Sequence, residues 1–136
     1  MNTNRILLAG LVGGVFAFFV GWLIFGILFK DMMPEGMSGV LRKEEDMIIW
    51  AIALSNILWA VTIAYIFVQW ANISTWQAGV MAGAILGFLI TASFDFGFYS
   101  MTTLFTIQEV IIDVLINTIW VAIMGAVIGW WLGWKK

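Results

Sequence analysis

Of 136 residues, 63% are hydrophobic and only 10% are charged; a soluble domain carries about a quarter charged residues, so the composition excludes a water-soluble fold and marks an integral membrane protein. The absence of Cys and His removes disulfides, thiolate nucleophiles, Cys/His zinc centres, histidine-held haem and Ser-His-Asp triads. A formal charge of -2, with the six basic residues near segment ends, provides no basic face for nucleic acid.

The first element is the uncharged stretch 6–29, preceded by Arg5. One basic residue before an apolar run has the look of a secretory leader. This run is too long for a leader's apolar core and lacks a small-residue cleavage site, so it reads as a helix. A polar segment, 31–46, follows. Its Met32, Met33 and Met37 form a thioether set of the kind that holds Cu(I), although methionine is more often an adaptable interface residue.

Residues 47–94 again carry no charge. As one helix they would reach roughly 72 Å, against about 30 Å of hydrocarbon. The chain has to turn back at 69–77, where Asn72, Ser74 and Thr75 suit a turn and Trp70 and Trp76 suit the headgroup level. The predicted helices are therefore 47–70 and 76–97. A fourth, 108–134, starts within 106–110 and stops before Lys135 and Lys136.

The predicted fold is all-α: a single transmembrane domain over 1–136, built as a four-helix bundle embedded in lipid. Both termini and the Asn72 turn fall on one side, called side A; the 31–46 and 98–107 connections fall on side B. Trp70, Trp76, Trp130, Trp131 and Trp134 then form one belt at side A. Side A has Arg5, Lys135 and Lys136 and no acid, whereas side B mixes Lys30, Arg42 and Lys43 with five acids. Side A therefore reads as cytoplasmic. Gly14-Val15-Phe16-Ala17 is similar to Gly79-Val80-Met81-Ala82, and Leu54, Asn56 and Trp59 share the spacing of Leu115, Asn117 and Trp120. That pattern admits two repeated helical hairpins about an axis along the membrane normal, against chance similarity of apolar segments.

In lipid, helices associate by close approach at small residues four apart. Gly13, Ala17 and Gly21 supply such a stripe on the first helix, Gly79, Gly83 and Gly87 on the third, and Gly125, Gly129 and Gly133 on the fourth. All lie in the half nearer side A, which predicts close packing of these three helices there, within the chain or across a homodimer seam.

Polar residues gather near side B. Thr106, Glu109, Asp113 and Asn117 share one face of the fourth helix. Glu109 suits a helix N-terminus, but Asp95, near a third helix ending at about 97, is disfavoured by the macrodipole and wants a partner, a proton or a cation. The competing reading makes Asp95 and Asp113 interfacial acids touching water and headgroups. Asn56 and Asn117 lie deeper, as an interhelical hydrogen bond or as polar lining. The candidate ligand- or ion-binding residues are thus Asp95, Asp113, Glu109, Asn56 and Asn117. No catalytic residue is identified, and no cofactor is called for.

Residues 21–33, GWLIFGILFKDMM, and 122–130, AIMGAVIGW, resemble the two ends of a family of small, four-span bacterial membrane proteins of unknown function, which open with an aromatic, glycine-containing helix. The resemblance implies a bacterial inner-membrane bundle and carries no activity. Three functions compete. The chain binds or conducts a cation, proton or small molecule through a cavity open at side B; it is a structural or accessory subunit of a homo-oligomer or larger membrane complex; or it modifies lipids with Asp95, Glu109 and Asp113 on a divalent metal. The last lacks a recognisable motif or a soluble catalytic module, and the first, non-enzymatic reading is preferred.

Overall fold

With no proline outside the 31–46 segment and no water in the hydrocarbon to satisfy backbone groups, long apolar runs close their hydrogen bonds internally as helices. The computed structural model describes residues 3–24, 48–103 and 105–134. The end of the predicted first helix, the exit segment used for the family resemblance and the Met32, Met33 and Met37 group lie outside the described residues. The helices are α1 (Thr3–Leu23), α2 (Ile49–Ile66), α3 (Trp76–Met101) and α4 (Ile107–Trp134), with a π-helical turn, Phe67–Ala71, continuing α2. They make an all-α four-helix bundle. Each helix, α2 together with its π turn, is long and apolar enough to cross a membrane, and Phe19, Leu58, Leu89 and Ile119 face outward as lipid-facing residues do. The chain is a multi-pass membrane protein.

The end of α3 differs from the expected one for a local chemical reason, whereas the start of α4 falls within the expected 106–110. The third helix continues past 97 to Met101, because Ser100 Oγ donates to the Gly97 carbonyl (2.8 Å) and Thr102 Oγ1 to that of Phe98 (2.7 Å). The Phe98 carbonyl also accepts the Thr102 backbone N–H (2.9 Å), so the hydroxyls add to the helix's own hydrogen bonds at this end and compete with none. The fourth starts in a reciprocal cap: Thr106 Oγ1 accepts from the Glu109 N–H (3.2 Å) and Glu109 Oε1 from the Thr106 N–H (2.8 Å).

Within the bundle α4 is central, packed against α3 on one side and α1 on the other, while α1 also packs against α2. Its buried face includes Val121, Met124, Ile128 and Leu132, joined by Ala9 and Ala17 of α1 and by Ala60, Ile63 and Ala64 of α2. Trp59 of α2 meets Trp120 of α4 edge-on, centroids 6.4 Å apart. Because α4 stands between α1 and α3, the three small-residue stripes form two seams instead of one meeting point. Gly13 lies against Ile128, and Gly21 opens space for the Trp120 ring, whose Nε1 a Cβ there would meet at 3.2 Å. Gly10 and Gly14, outside the predicted stripe, bring α1 onto α2: their Cβ atoms would fall 2.8 Å from Val61 Cα and 2.6 Å from Ile57 Cα.

Candidate functional site

The residues that α3 buries are Gly79, Gly83, Gly87 and Asp95. With Thr91 they lie every fourth residue, a single stripe aimed at α4. The facing stripe on α4 runs through Gly129, Gly125, Val121, Asn117 and Asp113 in the opposite direction. Gly79 faces the Gly125 carbonyl, and a Cβ at Gly83 would stand 2.5 Å from the Val121 carbonyl oxygen. Backbones this close leave no room for side chains at Gly79 and Gly83, and the Val121 side chain fills the space against Gly87 before the stripe reaches its polar end.

At that end the Asp95 carboxyl lies against that of Asp113. Asp95 is only 9% exposed, and its Oδ2 is buried with no hydrogen-bond partner among the described residues. Asp113 is half-buried, and Asn117 Nδ2 donates to both its carbonyl (2.9 Å) and its Oδ1 (3.2 Å). Each aspartate sits six residues inside the end of its helix, roughly 9 Å along the axis. Asp95 is therefore not in a final turn opposed by the macrodipole, as a helix ending at 97 would have made it. Its need for a partner comes from burial beside a like group.

Three of the five predicted polar residues, Asp95, Asp113 and Asn117, come together here. Glu109 serves in the cap of α4, and among the described residues no group of three or more metal-ligating side chains converges. Asn56 belongs to α2, where its Nδ2 donates to the Ile52 carbonyl (2.8 Å). Among the described residues, neither asparagine forms the expected interhelical hydrogen bond. Each amide turns back to the carbonyl one turn earlier, a partner always within reach on its own helix. Alongside them, Trp120 Nε1 donates to the Ala17 carbonyl (3.1 Å), tying α4 to α1 as well as filling space. Gly21 beneath the indole was the available sequence signal for it.

In a water-poor seam, two carboxyls and an amide share a proton, or hold a cation between oxygens, at lower cost than they remain an unpaired double negative charge. No protein-family model, curated protein or solved structure matches the chain.

Proposed function

We propose that the chain is a non-enzymatic, multi-pass protein of a bacterial inner membrane, with cytoplasmic termini, that binds a proton or a cation at Asp95 and Asp113. The observation that carries this reading is the Asp95 carboxyl, nine-tenths buried against a second carboxyl, with one oxygen unpartnered. Burial of an unpaired charge is costly, and intramembrane acids of this kind mark ion and proton sites. Asn117 orients Asp113 by bonding its Oδ1, so the pair meets an incoming ion with one member already fixed. Cytoplasmic termini follow from the acid-free, basic side A.

The test is thermal unfolding of the purified protein in mild detergent, with pH and then Na+, K+ and Li+ varied. Asp95→Asn and Asp113→Asn should each flatten the wild-type dependence, while Glu109→Gln, which keeps the cap's hydrogen-bonding shape, should retain it. Three variants behaving as wild type would overturn the reading and favour the accessory-subunit function, for which co-purification with a larger complex is the signature.

A further inference from the structure

A second polar feature lies at the other end of the bundle. The start of α1, the π turn after α2 and the loop that follows enclose a cavity of about 250 Å³, lined by Arg5, Phe67, Val68, Asn72, Ile73 and Ser74. Arg5 is the charged member of this lining. Its Nη2 donates to the Leu132 carbonyl (3.0 Å), one of the open carbonyls at the end of α4. Its Nε is buried and has no acceptor among the described residues. A buried, unpaired donor on a permanently charged guanidinium is expensive, and none of the described acids faces it: Asp95, Glu109 and Asp113 sit at the opposite ends of α3 and α4.

Two other lining residues, Asn72 and Ser74, carry side-chain donors. Asn72 adopts the left-handed conformation (φ 52), and its backbone N–H and that of Ile73 both donate to the Phe67 carbonyl. The loop is thus shaped by its backbone, and the Asn72 amide and Ser74 hydroxyl form no hydrogen bond among the described residues. Trp70 and Trp76, 71% and 53% exposed, flank the loop as aromatic residues do at headgroup depth. A site there meets lipid phosphate at high local concentration. The volume is several times the roughly 30 Å³ share of one water molecule.

We propose that this cavity binds the phosphate of an anionic phospholipid headgroup, with Arg5 as the charged donor, Asn72 and Ser74 as neutral donors, and Phe67 and Val68 as the apolar wall. The guanidinium fork suits phosphate oxygens, and Lys135 and Lys136 follow α4 in the sequence, which favours a headgroup of net negative charge over a zwitterionic one.

The full chain, delipidated in neutral detergent, is titrated with phosphatidylglycerol, phosphatidylcholine or inorganic phosphate, and read by unfolding midpoint and by lipid adducts in native mass spectrometry. Phosphatidylglycerol at about a hundredfold excess over its Kd should raise the midpoint by roughly 5–10 °C, with a smaller shift from phosphatidylcholine. Arg5→Gln should abolish most of that shift and the adduct. Because Arg5→Gln also removes the bond to Leu132, the double variant Asn72→Gly, Ser74→Ala provides a second arm that leaves that bond intact and keeps a residue at ease in the left-handed conformation, and it should weaken the adduct several-fold. An undiminished phosphatidylglycerol shift in this double variant, or no shift in the wild type, overturns the site. An equal shift from inorganic phosphate alone overturns the lipid assignment.

Discussion

Gly83 and Gly97 lie on the same helix, and the same substitution at the two positions should have opposite effects. A Cβ at Gly83 would stand 2.5 Å from the Val121 carbonyl oxygen, 3.1 Å from Ala122 Cα and 3.2 Å from the Val121 carbonyl carbon, whereas a Cβ at Gly97 meets nothing within 4 Å. The obstacles at Gly83 are backbone atoms, which cannot rotate away. With optimal contacts at about 3.5–4.0 Å, α3 and α4 have to part by roughly 1 Å, forfeiting a quarter to a half of the dispersion energy of contacts along the seam. Overpacking costs about 1–3 kcal/mol, and a rigid obstacle places Gly83→Ala toward the upper end, offset by the roughly 0.5–1 kcal/mol that Ala gains over Gly in a helix. Gly97→Ala has the gain alone. The two variants should therefore differ by about 3 kcal/mol, or roughly 6–12 °C in unfolding midpoint, measured by circular dichroism in one detergent. Equal midpoints would refute the claim that close backbone approach at Gly83 holds α3 to α4.

The remaining predictions concern separate parts of the molecule. Trp120→Phe keeps an aromatic ring against Trp59 but loses the donation to the Ala17 carbonyl, and should cost about 1–2 kcal/mol in detergent unfolding. Thr106→Ala removes the acceptor for the Glu109 N–H and should cost about 1 kcal/mol, seen as faster hydrogen exchange confined to the first turn of α4. In the cysteine-free chain, Ser38→Cys should react with an impermeant thiol reagent in intact cells and Ser74→Cys should not; the reverse pattern would invert the orientation.

Four spans were legible because charge-free runs and a tryptophan belt are one-dimensional signals, read without knowing which helices touch. The glycines of α3 were legible too, but not their alignment with Asp95. Counting by fours from Gly79 leads to Asp95 as directly as to Gly87, yet a carboxylate invites an argument from depth, and depth alone placed it at the boundary. The end of α3 was missed because Ser100 and Thr102, polar enough to suggest a loop, bond carbonyls of their own helix. The Thr106 and Glu109 pair, by contrast, has the spacing of a capping box and would have fixed the start of α4. Gly10 and Gly14 were passed over because α1 carries glycines on two faces, and periodicity alone does not say which face meets which neighbour. Nothing in sequence says that an asparagine amide will choose its own helix, or that an indole will donate to a carbonyl of another.

The two ends of the α3–α4 seam are physically linked. Apart from glycines, Asp95 is what α3 buries, so little apolar surface holds this helix in place, and in lipid there is no hydrophobic drive to replace it. Adherence of α3 rests on backbone contact at Gly79, Gly83 and Gly87, on the partly buried Ala82 and Leu86 and on the state of one carboxyl pair beyond them. Under the proposed function, an ion or proton at Asp95 and Asp113 draws together the end of the seam that the glycines do not clamp, and its loss leaves two like charges pushing that end apart. Because, among the described residues, the remaining faces of α3 meet no other helix over a comparable surface, the repulsion is resisted mainly by the glycine contacts, which act as a pivot. The occupancy of a two-residue site would thereby be read out as the angle of a whole helix.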